Sequence, residues 1–301
     1  MKLLTIAIPT YNRASILSKS LEKLFAEISY NKDIIELLVS DNCSSDNTQE
    51  IIENFILRGH SITYNRNLVN LGMDGNFSYC FKNAKGKYIW VLGDDDHLLE
   101  GSLNKIISLL STDSEYGLIH LNTFKEGVGI KEFDSAEDFL CKINVFKTFI
   151  SGNIVNSRFL DLVDFEIYSG TLLSQVPVYL NSSILHDKNV ILYDEILEAA
   201  IDGQNNGGYN LFEVFVENYL NILIRFRKKI GFFWYEKEKY LLLRYFLYGW
   251  MIKLLIQKDS GLNFKTKDWF LILYKKFWYE PYFYPIMILF FMKQIKMRFN
   301  R

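Results

Sequence analysis

The chain has 301 residues, 49% of them hydrophobic and 16% aromatic. That excludes a disordered or low-complexity chain and suffices for one large core or two moderate ones. A formal net charge of -1 conceals a division by position: residues 222–301 carry 17 Lys/Arg against 5 Asp/Glu, and residues 1–221 carry 17 against 30. Two parts with different partners are expected, and an acidic first part speaks against nucleic acid. The three cysteines, Cys43, Cys80 and Cys141, have neither CxxC nor zinc-ligand spacing and read as small buried residues of a reducing compartment. The apolar run after Met1-Lys2 is too short for a signal peptide. No stretch reaches the roughly 18 apolar residues of a spanning helix, so the expected location is the cytoplasm.

In chain order, Leu3–Ile8 reads as a buried strand and Pro9–Arg13 as the loop after it. Residues 14–29 have helical spacing, with Ile16, Leu17, Leu21, Leu24, Phe25 and Ile28 on one face. A second strand, Ile34–Ser40, ends in the polar segment Asp41–Thr48, from which Asp46 or Thr48 would cap a helix over Gln49–Leu57. Ser61–Tyr64 reads as a short strand and Asn65–Gly72 as a polar loop. A helix from about Asp74 to Ala84 turns Phe77, Cys80 and Phe81 inward, and Gly86 leads into the strand Tyr88–Leu92. That strand runs into Gly93 and three consecutive carboxylates, Asp94, Asp95 and Asp96. Adjacent like charges raise one another's pKa. They are tolerated where a cationic group or a divalent ion sits among them, and Mg²⁺ and Mn²⁺ bridge such carboxylates to substrate phosphates. Taken singly, the cluster reads as a solvated acidic turn. The β-α-β-α-β-α-β order predicts instead a parallel sheet flanked by helices. Its strand-end loops Pro9–Arg13, Asp41–Thr48 and Asp94–Asp96 would then converge where open sheets bind ligands. No Walker A or GxGxxG loop is present, which disfavours the ordinary nucleotide folds.

Four segments in this order and spacing carry a resemblance: Ile8–Arg13, Val39–Thr48, Asn67–Gly72 and Gly86–Asp96. Together they resemble the nucleotide-sugar domain of family 2 glycosyltransferases, over the first third of the chain and fading after residue 120. The Leu-Gly-Asp-Asp-Asp form is similar to members that build bacterial O-antigen or capsule repeats, abequosyltransferase-like proteins among them. The resemblance implies an α/β GT-A (Rossmann-like) fold, a mostly parallel sheet flanked by helices, followed by a helical carboxy-terminal region. The expected domains are 1–211, divided into a nucleotide-sugar half (1–112) and an acceptor half (113–211), and then 212–301. It also implies a metal-dependent inverting transfer from a nucleoside diphosphate sugar to a glycan acceptor, lipid-linked, in surface polysaccharide synthesis.

By the same resemblance Pro9, Thr10, Tyr11, Asn12, Arg13, Asp41 and Asn67 fall in the donor-binding segments. Asp41 could accept from a base N–H, Tyr11 offers a ring to the base, and Arg13 could pair with a phosphate. Asp94 would face the ribose or sugar, Asp95 the donor sugar, and Asp96 with Asp94 would hold Mn²⁺ or Mg²⁺, acting as a Lewis acid on the leaving diphosphate. The plainer readings are a loop aromatic for Tyr11, a helix cap for Asp46 and an exposed polar residue for His97. An inverting enzyme needs a carboxylate base, and the family's acidic pair has no clear counterpart here. Glu166, then Asp164, before a helix read over Thr171–Leu185, are the nearest candidates, and each reads equally well as a surface acid. His186 and Asp187 read as loop residues. Tyr116–Asn122 reads as a strand, Ser151–Asn156 resembles the start of the acceptor strands, and residues 202–209 read as a flexible loop that closes over the donor.

From Phe212 onward the pattern is helical, with aromatics and lysines interleaved. Such rings and cations favour a membrane surface, reached through residues 225–301; Pro285–Met292 is too short to span and suits lying on the membrane. Packing on the catalytic domain or on a second subunit, as a homo-oligomer, is the alternative. The expected location is therefore peripheral, on the inner face of the plasma membrane. Two rival functions share the nucleotide chemistry: a nucleotidyltransferase releasing pyrophosphate, and a non-catalytic sugar-nucleotide-binding assembly subunit.

Overall fold

The apolar amino-terminal run forms β1 (Lys2–Thr10), and Leu4 to Ile8 within it are sealed from solvent. A computed structural model describes residues 2–28, 31–121, 127–198, 207–257 and 261–299. The chain divides into two compact units, Met1–Ala200 and Ile201–Arg301, each considered by itself.

In the first unit β1 is followed by α1 (Ala14–Ile28), β2 (Ile35–Asp41), α2 (Thr48–Leu57), β3 (Thr63–Arg66), α3 (Gly72–Asn83) and β4 (Gly86–Val91). β1 to β4 are mutually parallel in the order β3-β2-β1-β4. Then come β5 (His97–Leu98), α4 (Ser102–Leu110), β6 (Leu118–Leu121), β7 (Ile130–Phe133), α5 (Ala136–Ile143), β8 (Asn153–Asn156), α6 (Gln175–Leu185), β9 (Asn189–Leu192) and β10 (Leu197–Glu198). The eight-stranded sheet continues past β4 as β8-β6-β9-β7. β8 runs antiparallel to both its neighbours, β9 is parallel to β6, and β7 is an antiparallel edge. β5 pairs with β10 outside this sheet. The expected mostly parallel α/β sheet is present.

Alternation along the strands sends side chains to two cores. Leu4, Ile6, Ile8, Tyr88, Trp90 and Leu92 pack with Leu17 and Leu21 of α1, Ile52 and Phe55 of α2, and Leu103 of α4. The other face of β1 and β4 meets α3, through Phe77, Cys80 and Phe81, and α6 covers β8 and β6. At the start of β4 a Cβ on Gly86 would lie 2.5 Å from the Thr5 nitrogen. Glycine there is a requirement of close strand approach, not of turn conformation.

The third strand forms two residues later than expected because Asn65 and Arg66 pair with Ser40 and Asp41, a partnership that strand propensity undervalues. α6 starts at Gln175 and not Thr171, since Leu172 is left-handed (φ 60°) and Asp74 of α3 accepts the Leu172 and Ser174 N–H groups. Asn122 and residues 202–206 of the loop read as a lid lie outside the described residues.

The second unit is mainly helical, with α7 (Tyr219–Ile230), α8 (Phe232–Leu241), α9 (Tyr248–Met251), α10 (Trp269–Phe277) and α11 (Phe283–Phe299). Two short strands that the helical reading missed, β11 (Gly207–Asn210) and β12 (Asn263–Lys265), pair in parallel. A buried Lys239–Glu280 ion pair, with the Tyr279 hydroxyl accepting from Lys239 at 2.7 Å, ties α8 to the turn after α10. Among the described residues no helix is long and apolar enough to cross a membrane.

Candidate active site

β1 and β4 are adjacent and parallel, so both end at one edge of the sheet, and the chain places a polar residue at each end. Thr10 closes β1, and its Oγ1 donates to Asp94 Oδ2 at 2.7 Å. Arg13, one residue before α1, reaches the cluster with two arms: Nη1 lies 2.7 Å from Asp94 Oδ1 and Nη2 lies 2.6 Å from Asp95 Oδ2. Ser20 of α1 donates to the Asp94 carbonyl at 2.6 Å. Asp94 is thus held from three sides and is only 3% exposed. Burial pushes its carboxyl up to about 6, and Asp95 and Asp96 add to the rise, while Arg13 and the Thr10 hydroxyl counter it.

Asp96 is 9% exposed, and burial likewise pushes its carboxyl up to about 6. Its partner is Ser151, whose Oγ also accepts the Gly93 N–H at 2.8 Å and whose carbonyl takes the Trp90 indole N–H at 2.8 Å. A Cβ on Gly93 would sit 2.9 Å from Asp96 Oδ2 and 3.3 Å from Ser151 Oγ, so a larger residue there would displace the Asp96 carboxylate. Ser151 is a site residue that sequence reasoning passed over. It lies just before β8, and only the antiparallel placement of β8 against β4 brings it to the aspartates. Ser151→Ala should lower transfer about tenfold, as loss of an orienting partner does. Saturation with divalent ion should shift in parallel; an unchanged metal dependence would show that Ser151 does not orient Asp96.

The second centre lies at the end of β2. Asp41 is fully buried; its Oδ1 accepts the Ser44 N–H at 2.8 Å and its Oδ2 the Tyr64 hydroxyl at 2.9 Å, with Arg66 Nε 3.6 Å away. Burial, then the bond to Asp41, raises the Tyr64 phenol well above its ordinary value. Asn12 adopts φ 52°, which asparagine tolerates. Its N–H meets Ser44 Oγ at 2.9 Å and its Oδ1 takes the Ser45 N–H at 2.8 Å. The loops after β1 and β2 are therefore stitched together. Asp46 accepts from the first residue of α1, Ala14 N–H at 2.9 Å, and of α2, Thr48 N–H at 3.1 Å, so it anchors two helix starts. Asn67 is buried in an amide cluster, donating to Asn42 Oδ1 at 3.2 Å and accepting from Asn65 at 2.9 Å. Tyr11 stands exposed at the rim, beside the half-buried Pro9. His97 is half-buried in β5, its Nδ1 3.3 Å from Ser20 Oγ, and burial holds its imidazole below the usual range.

The structure does not bring Asp164 and Glu166 to this edge. Asp164 Oδ1 accepts the Glu166 N–H at 3.1 Å and so caps the start of a short 3₁₀ turn, Phe165–Tyr168. Phe165 between them stacks on Phe81 and lies under Lys82. Phe81 and Lys82 belong to the last turn of α3, beside the start of β4, whereas Asp94–Asp96 follow the end of β4. Glu166 faces a cleft of about 340 Å³ along α3, with Asp74, Tyr79 and Lys82.

A sheet in the order β3-β2-β1-β4 with acidic strand ends defines a GT-A class of α/β fold. The chain belongs to the family described as Glycosyl transferase family 2, whose profile matches residues 5–159. It is 38% identical over 116 residues to abequosyltransferase RfbV of Salmonella typhimurium, a match spanning 38% of this chain and 34% of that protein. It is 26% identical over 235 residues to the GalNAc(5)-diNAcBac-PP-undecaprenol beta-1,3-glucosyltransferase of Campylobacter jejuni, covering 72% of this chain and 73% of that one. The solved structure of S. aureus TarS 1-349 superposes with a TM-score of 0.56 at 17% identity, over 74% of this chain and 66% of that one, which shows the shared fold.

Proposed function

We propose that the protein transfers a sugar from a nucleoside diphosphate sugar to a lipid-linked glycan, with inversion, in bacterial surface polysaccharide synthesis at the inner face of the plasma membrane. The observation that carries the reading is the aspartate cluster at the joint end of β1 and β4, held by Thr10, Arg13, Ser20 and Ser151 and flanked by the Asp41 loop. Support for the acceptor class comes from the Campylobacter relative, whose name specifies an undecaprenol-linked acceptor and whose match runs beyond the donor half.

The residues fit a divalent cation. Two buried carboxylates, Asp94 and Asp96, carry charge that burial disfavours. Among the described residues no three His, Cys, Asp or Glu side chains are grouped to hold a metal ion by themselves. That donor set suits Mg²⁺ or Mn²⁺, which bind through one or two carboxylates and complete their shell with substrate phosphates. Asp96, with Asp94, would hold the ion, which supplies charge neutralisation on the departing diphosphate. Arg13 places a guanidinium at the same edge, where it can pair with a phosphate oxygen. Thr10 and Ser20 keep Asp94 in one orientation, and Ser151 does so for Asp96. Inversion follows from one displacement, in which the acceptor hydroxyl gives its proton to a carboxylate base.

A thermal-shift screen of nucleotide sugars with and without Mn²⁺ tests the reading, because stabilisation grows with ligand concentration over Kd. One nucleotide sugar should raise Tm in a metal-dependent way and then yield nucleoside diphosphate with an acceptor. Release of pyrophosphate from a nucleoside triphosphate would instead establish a nucleotidyltransferase. Metal-dependent binding without transfer or donor hydrolysis would establish an assembly subunit.

A further inference from the structure

α11 is apolar on both of its faces. Phe283, Ile286, Met287 and Phe290 face inward and are buried. On the opposite side Tyr284, Ile288, Met292, Ile295 and Phe299 are exposed, at the i, i+4, i+8, i+11, i+15 spacing of one continuous stripe. Phe299 is 86% exposed. A helix that is apolar all round is ordinarily covered on all sides. The stripe also does not end with the helix. Phe291 meets Phe270 of α10 with ring centroids 6.4 Å apart, and Phe270 stacks on Tyr274 at 6.2 Å. Tyr274 and Trp278 carry the exposed aromatic surface along α10 and into the turn beyond it.

The exposed charges that α10 and α11 themselves carry have one sign. Among the described side chains, the exposed charged ones on α10 and α11 are Lys275, Lys293 and Lys296. The acid between the helices, Glu280, is buried against Lys239, and the nearest exposed acid in sequence, Asp268, precedes α10. A protein partner with an apolar face would place no such demand on the rim. A bilayer with anionic headgroups does, since it takes apolar side chains and interfacial Trp and Tyr below a layer of negative charge. At 17 residues α11 is about 25 Å long, enough to lie along the surface as an in-plane helix.

We infer that the exposed face of α10 and α11 docks the protein onto an anionic lipid bilayer, the ring and aliphatic stripe entering the interface and Lys275, Lys293 and Lys296 pairing with headgroup phosphates. This rests on the reading of a lipid-linked acceptor for its purpose, but its test uses neither donor nor acceptor. The full chain is floated with phosphatidylglycerol-containing vesicles and with pure phosphatidylcholine vesicles, at low and at high salt. It should float with the first, less so as salt rises. Ile288→Asp/Ile295→Asp and Lys293→Glu/Lys296→Glu should each reduce flotation by about tenfold or more. Both variants should keep the metal-dependent thermal shift with nucleotide sugar, since their sites lie outside the first unit. Absence of wild-type flotation would overturn the inference, as would flotation of Ile288→Asp/Ile295→Asp equal to wild type. So would a lipid-indifferent dimer, seen by sedimentation, that Ile288→Asp/Ile295→Asp converts to monomer.

Discussion

Asp96→Asn is expected to stop sugar transfer while making the metal-free protein more stable. The two effects have one cause. Burial pushes the Asp96 carboxyl from an ordinary 3.8 up to about 6, a rise equivalent to on the order of 3 kcal/mol against the charged form. A carboxyl raised in this way contributes its stability below the unfolded value near 4 and loses it as pH rises through 6. Metal-free wild type should therefore lose Tm between about pH 4 and 6 and change little above that. The asparagine variant should lose less, because the Asp94 carboxyl is raised to about 6 as well and remains. Part of the gain is spent where the new amide must fit beside Ser151, so about 1–2 kcal/mol at pH 8 is expected. Mn²⁺ should raise the wild-type Tm at pH 8 and leave the variant unmoved, and transfer should fall roughly 10³-fold. Melting curves from pH 4 to 8, with and without Mn²⁺, check the first part. A variant less stable than wild type at pH 8, or one that transfers sugar normally, would remove Asp96 from the metal site.

Asp41→Ala is expected to act in the opposite direction on stability and in the same direction on function. Its carboxylate takes the Ser44 N–H and the Tyr64 hydroxyl in a fully buried position. Alanine leaves both donors without an acceptor, at a cost of about 2–4 kcal/mol. The Ser44 turn also carries the bonds to Asn12, so the loops after β1 and β2 would come apart and donor affinity should fall at least about 100-fold. Denaturant titration and calorimetry of nucleotide-sugar binding measure the two effects. A stable Asp41→Ala protein with normal donor affinity would contradict the stitched-loop account. Asp41→Asn, which keeps one acceptor oxygen, should recover most of the stability.

The part of the site that sequence reasoning reached is the part built on strand ends. Leu4 to Ile8 and Tyr88 to Leu92 are apolar runs that name two buried strands, and a parallel sheet then forces Thr10, Arg13 and Asp94 to one edge. Asp46 was legible as a cap because a short acceptor before an apolar helix has few other uses. What stayed hidden depends on pairing between distant segments. Ser151 looks like any serine until β8 is known to run antiparallel to β4. Ser61–Tyr64 was legible as a strand, but the bond from the Tyr64 hydroxyl to Asp41 follows only from the pairing of β2 with β3. The Asp164–Glu166 segment misled because an acidic pair before a helix matches a pattern, while its distance from the aspartates is set by how Phe165 packs on α3. In the carboxy-terminal unit the aromatic and basic composition was plain, but which rings faced outward depended on the packing of α10 and α11.

The reversed direction of β8 has a wider consequence. In a sheet of parallel strands each strand delivers its last residues to one edge, here Thr10 of β1, Asp41 of β2 and the turn after β4. A strand laid the other way delivers its first residues there, so the short stretch before β8 brings Ser151 to the turn that carries Asp94–Asp96. Substitutions in that stretch can retune the posture of Asp96 while the nucleotide grip at β1 and β2 is left intact.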